Sequence, residues 1–358
     1  MAVAVALPGL TALIALVFAA AVLDQWWERR RGFQLIWGIG MLFFAVASGS
    51  EAIAAATGWN ETLYRTWYLT GAVWTAGWLG LGTCFLLART RFGYAVALSL
   101  FLAGLFTFLA ARRMTEPVGD APIVFFIAAG VLAAAVAVET YFQNERWPAI
   151  AALAVVGATI ASLLLMVTAS LPAPGYALDP RTAVPTGELF PPALRLLTPF
   201  MNVTGSLALI LGALFSAYVF MPKRRVLGYS LDADQPGDQF LFNLFIAPVA
   251  IAVNFLASLP GTLRALLNGT IHSRVPATLL IAIGAMVVAG ADSLARFGST
   301  DFFQLGKLAG VVLLLVGFLI SVEVFSEIRI PFTGRVLRAG RGERGAFARA
   351  DQTADQTP

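Results

Sequence analysis

Apolar runs close to 20 residues long follow one another through most of this chain, and that spacing limits the fold more than any other feature. A bilayer's hydrocarbon core is about 30 Å thick and an α-helix rises about 1.5 Å per residue, so about 20 apolar residues cross it. Charged residues make up 12% of the 358, about half the share usual in soluble domains. A membrane β-barrel would show short alternating strands, and the pattern has none. The fold class is therefore all-α: a polytopic helical bundle in a membrane.

Nine spans are predicted, at Ala4–Leu23, Phe33–Ala56, Leu63–Leu87, Ala95–Ala111, Ala121–Glu139, Pro148–Leu171, Leu196–Phe220, Pro276–Ala295 and Phe302–Val324. The first run has its basic residues after it, at Arg29, Arg30 and Arg31, where a cleaved signal peptide has them before. With the amino terminus outside, seventeen of the 24 Lys and Arg fall in cytoplasmic segments and six outside, Lys307 lying within a span. Cytoplasmic loops carry such an excess. The expected setting is the plasma membrane, with the carboxyl terminus inside.

The segment Phe240–Gly269, "FLFNLFIAPVAIAVNFLASLPGTLRALLNG", is apolar, yet the charge count needs both its flanks on the cytoplasmic side. Pro248, Asn254 and Pro260-Gly261 interrupt it, which predicts two short helices, re-entrant or along the interface. The chain thus divides into a helical domain over 1–328, including this segment at 240–269, and a basic, disordered cytoplasmic tail over 329–358. A proline-rich loop from Leu171 to Leu194 is expected to cap the outer face as a stiff lid.

Two spans carry a Thr-Gly step 18 residues before a basic residue, Gly71 before Arg89 and Gly205 before Lys223, the spacing of a possible internal duplication. Any span running from outside to inside ends in basic residues, so the likeness also has a plain explanation.

An ionisable side chain at mid-membrane costs about 2.5–3.5 kcal/mol on insertion scales, so each one calls for a partner or a role. Glu51, Arg65, Asp292 and Lys307 all fall near outer helix ends. Their convergence would make a polar ligand-binding site, with Asn254 contributing from the interrupted segment. Lys307 itself admits a structural pair with Asp292 or Asp301, or an anion or coupling site shared with Arg65 and balanced by Glu51 or Asp292. A third possibility is a chromophore-bearing lysine. The stretch "YRTWYLTG", Tyr64–Gly71, resembles the third helix of microbial rhodopsins over a few residues. That family's pattern places an acid four residues before the lysine, where this chain has Phe303, and nine spans exceed that fold. The chain is not assigned to it.

One cysteine, Cys84, and one histidine, His272, leave no cysteine-cluster metal site and no bis-histidine haem. No cofactor is expected, no nucleophile–base arrangement appears, and the reading leans away from an enzyme. The net charge of +4 reflects the cytoplasmic loops and not a nucleic-acid partner. The expected function is binding or translocation of a small or lipid-like molecule through the bundle. The alternative is a non-catalytic accessory or scaffold subunit with membrane-protein partners. In either case the bilayer is a partner.

Overall fold

The computed structural model describes residues 2–114, 118–142, 144–180, 183–227, 246–296, 300–321, 327–329 and 336–339. Its helices are α1 (Ala2–Arg29), α2 (Gly32–Thr57), α3 (Glu61–Trp67), α4 (Thr75–Leu86), α5 (Gly93–Ala111), α6 (Ala121–Tyr141), α7 (Trp147–Thr168), α8 (Pro192–Phe220), α9 (Ala247–Leu267), α10 (Arg274–Arg296) and α11 (Thr300–Ile320). A π-helical turn, Tyr68–Trp74, joins α3 to α4, so Glu61–Leu86 is one rod. Two short strands, β1 (Glu327–Arg329) and β2 (Val336–Ala339), pair antiparallel. The sequence gives no sign of them.

Among the described residues ten helices are long and apolar enough to cross a membrane. Their outward faces are apolar: Val131 is 63% exposed, Leu153 70% and Val167 74%. An outer surface of this kind suits hydrocarbon, and helices meet its demand that backbone groups be satisfied within the segment. The protein is an integral membrane helical bundle.

Small residues let the helices approach closely where side chains would hold them apart. A Cβ on Gly80 of α4 would lie 2.5 Å from the carbonyl oxygen of Gly205 in α8, and one on Gly205 would lie 2.0 Å from that of Ala76. In the last hairpin, Gly306 faces Ala291, Gly310 faces Gly284 and Val288, and Gly317 faces Ala277 and Ile281. The small-residue step Gly306–Gly310 therefore packs on α10 of the same chain. The Thr-Gly steps of the suspected duplication differ locally. Thr70-Gly71 lies in the π turn, whereas Thr204-Gly205 lies in regular α-helix.

Within the described residues, the interrupted segment is one continuous helix, α9, and not two short ones. Pro248 sits in its first turn, where the missing N–H has no partner to lose. Pro260 removes one backbone bond at an exposed position, and the helix runs through it. Residues 228–245, with Asn243, lie outside the described residues.

Although long enough to cross, α9 packs at one end of the bundle. The His272 ring stacks on Phe220 at 4.9 Å, and the Arg274 guanidinium lies 4.3 Å from that ring's centre. The end of α8 thus meets the start of α10, and the chain between them leaves and returns on one side. Ile251 and Phe255 of α9 pack there with Tyr218, Met221 and Val275. Among the described residues, α9 thus meets the bundle where α8 ends and α10 begins.

Gly205→Ala should cost about 1–3 kcal/mol through the forced separation of α4 and α8, read as a lower unfolding temperature in detergent. Gly157→Ala, where an added Cβ meets nothing within 4 Å, should be neutral or slightly stabilising.

Candidate functional site

The buried residues of α2 recur every three or four positions: Gln34, Trp37, Met41, Phe44, Ser48 and Glu51. Glu51 thus falls on the face turned toward the protein. In α11 the same spacing runs through Phe303, Lys307, Val311, Leu314 and Phe318. An acid and a base have been placed on two core-facing stripes, and the fold brings those stripes together.

Lys307 Nζ lies 2.7 Å from Glu51 Oε2 and 2.8 Å from Oε1. The residues are 7% and 6% exposed. The Gln304 amide, one turn before Lys307, donates to Glu51 Oε2 at 2.8 Å. On Glu51 Oε1 the Trp67 indole donates, also at 2.8 Å. Each carboxylate oxygen therefore accepts two hydrogen bonds. The ammonium lies 5.0 Å from the Phe303 ring centre and 5.9 Å from that of Phe44, within cation–π range. Lys307 stands about 10 Å along the axis from Thr300, and Glu51 about 9 Å from Thr57. The pair is about two turns in from the ends of its helices.

Trp67 reaches Glu51 because of the contact one turn below. A Cβ on Gly71 would lie 2.9 Å from the Ala47 methyl, so α2 and the π turn touch there. One helical turn outward from each of these residues stand Glu51 and Trp67. The π turn inserts one residue, which rotates the helix above it by about 100°. Its carbonyls find side-chain partners: Thr75 Oγ1 donates to Thr70 at 2.6 Å and the Asn202 amide to Ala72 at 2.8 Å.

Arg65 does not join this cluster in the structure. Its guanidinium donates to Glu61 Oε1 at 2.6 and 2.8 Å, to Ala169 O at 2.7 Å, and to Met166 O. The last two are carbonyls at the carboxyl end of α7, which lack helical partners and carry the negative end of the helix dipole. Arg65 thus fastens α7 to α3. Beside it Phe190 of the proline-rich loop stacks on Tyr64 at 4.7 Å and lies 4.2 Å from Tyr68, and Tyr64 Oη donates to Thr186 O. The loop is held as a cap on α3.

Asn254 stands at the opposite end of the bundle. Its Oδ1 accepts from the Val226 and Leu227 amides at 2.8 and 2.9 Å, and its Nδ2 donates to Leu227 O at 2.9 Å. Asp292 follows Ala291, which faces Gly306; the side chains of Asp292 and Asp301 lie outside the described residues. Of the five residues expected to converge, the structure brings Glu51 and Lys307 together and holds Arg65 and Asn254 elsewhere. Trp67 and Gln304 are additions. Gln304 was legible as a polar side chain one turn from Lys307, whereas Trp67 reads as an ordinary interfacial aromatic.

Among the described residues no group of three or more His, Cys, Asp or Glu is placed to hold a metal ion. Cavities of about 10 and 30 Å³ lie among the described residues. The larger is lined by Trp37, Ser216, Arg274 and Thr278, at the end away from Glu51. Compared with known proteins, the chain matches no family model, no curated sequence and no solved structure.

Removing one member of a buried pair leaves the other charge uncompensated, at a cost of about 3–5 kcal/mol. Lys307→Met and Glu51→Gln should each lower stability by that order. The double variant should lose less than the two losses added, a coupling measurable as a thermodynamic cycle of unfolding in detergent.

Proposed function

We propose that this integral membrane protein binds, or carries through its bundle, a small anionic or lipid-like molecule at the Glu51–Lys307 pair. One observation carries the reading: an acid and a base, each under one-tenth exposed, two turns inside helices α2 and α11. Replacing a buried ion pair by packed apolar residues is often neutral or stabilising, so stability alone gives little reason to keep it. Ionisable groups within spans most often serve a ligand, ion or proton.

In this reading Lys307 exchanges the Glu51 carboxylate for an anionic group of the ligand. Gln304 and Trp67 keep their existing hydrogen bonds to the released carboxylate. Asp292 and Arg65, on elements at the same end of the bundle, set the charge along the approach. The distribution of basic residues supports a plasma-membrane protein with this end outside and the carboxyl terminus in the cytoplasm.

A second reading is an accessory subunit of a larger membrane complex, with the ion pair as a lock between the first and last hairpins. The filling of every Glu51 acceptor favours it. Native mass spectrometry of protein released from mild detergent, wild type beside Lys307→Gln, separates the two. The transport or binding reading expects an added mass on the wild type that the variant lacks. Bare wild type, or cargo kept equally by both, supports the subunit reading and overturns the first.

A further inference from the structure

The helix α9 is amphipathic in the sense opposite to a soluble protein. Its inward face carries Ala250, Asn254, Ser258 and Thr262, one turn apart and all buried. Its outward face carries Val249, Val253, Leu256, Leu263 and Leu267, between 36% and 79% exposed. Its polar groups face the chain, so the apolar stripe is what the surroundings meet. That stripe belongs to a helix packed at the end of the bundle where α8 stops and α10 begins.

The inward face holds a basic strand of chain in place. Ser258 Oγ accepts from the Arg224 amide at 2.8 Å, and Asn254 takes the amides of Val226 and Leu227. Ser258 and Thr262 also donate to the carbonyls of Asn254 and Ser258, at 2.6 and 2.9 Å. The segment so tied is "KRRVL", Lys223–Leu227, and every one of its side chains is exposed. Lys223 Nζ lies 5.7 Å from the Tyr218 ring, at the last turn of α8. Arg264, on the flank of the apolar stripe, is exposed as well. Three consecutive cations are therefore fixed beside a helix whose free face is apolar.

We propose that α9 and the Lys223–Arg225 segment form a binding site for anionic phospholipid. The apolar stripe lies among acyl chains, and Lys223, Arg224, Arg225 and Arg264 meet the headgroup phosphate. A lipid supplies both chemistries at the needed spacing: apolar chains below the interface and negative charge at it. Asn254 acts as a positioning residue, since it orders the backbone that presents the arginines. The site is at the end opposite Glu51 and Lys307, and does not depend on what that pair does.

The test uses the full chain in nanodiscs of phosphatidylcholine and phosphatidylglycerol, with retained lipids counted by native mass spectrometry. Wild type should keep phosphatidylglycerol in preference to phosphatidylcholine. The variant Lys223→Gln/Arg224→Gln/Arg225→Gln should lose that preference by about five-fold for each charge removed. Asn254→Ala, with all charges intact, should weaken it in part. Equal retention by wild type and the triple variant would overturn the proposal, as would displacement of the lipid by soluble glycerol phosphate. Cys84 is buried, so a Leu256→Cys variant can be labelled at the new thiol with a fluorophore. Lipids brominated in the acyl chain should quench it. Quenching by aqueous iodide alone, or protection from both quenchers by a second copy or another protein, would refute the placement of α9 in lipid.

Discussion

Inside hydrocarbon there is no water to complete a hydrogen bond, so a polar group carried into this bundle needs a partner within the protein. Four indoles within the bundle follow that rule. Trp37 donates to Leu79 O at 3.0 Å, Trp74 to Ser162 at 2.8 Å, Trp78 to Thr159 at 3.1 Å and Trp147 to Ala88 O at 2.9 Å. The first three of these bonds join one membrane rod to another, and the fourth fastens the start of α7 to the turn that follows α4. The most demanding case is Glu51 with Lys307, because charges cost more to desolvate than amides or hydroxyls. Four hydrogen bonds from three residues on two helices meet at one carboxylate. They tie the first hairpin to the last across more than 250 residues of chain.

The glycine contacts make such pairing possible. At Gly80 and Gly205 the backbones of α4 and α8 come within reach of a missing side chain, and at Gly71 the π turn settles on Ala47. Where backbones approach this closely, the side chains one turn away fall at hydrogen-bond distance. Trp67 and Glu51 are the result. The π turn, unusual in itself, places the indole and leaves its carbonyls to Thr75 and Asn202.

Much of this architecture was legible in the sequence. The length of the apolar runs gives the spans, and the charge count puts both flanks of 240–269 on one side, where the Phe220–His272 contact brings the end of α8 to the start of α10. Glu51 and Lys307 stand out in the sequence as ionisable side chains near outer helix ends. Which acid would meet the lysine was not legible, since that depends on how hairpins pack and not on periodicity. Asp292 and Asp301 are closer in sequence, yet Glu51 is the partner described. Arg65 is drawn away from the site by its neighbour four residues back, Glu61, and by the open end of α7. Pro260 does not break α9, because the exposed side of a helix tolerates one missing bond. Asn254 read as a ligand group, when a buried amide can equally serve a stretch of backbone.

The most direct test of the central contact is a solid-state NMR measurement of the dipolar coupling between lysine Nζ and glutamate carboxyl carbon, on isotope-labelled protein in lipid bilayers. The chain has two lysines, Lys223 and Lys307, so the nitrogen signals are few enough to assign. The expected result is a strong coupling from one lysine nitrogen that vanishes in Glu51→Gln. Lysine nitrogens without any carboxyl coupling, or with one unchanged by Glu51→Gln, would contradict the buried pair and the packing of the two hairpins built on it.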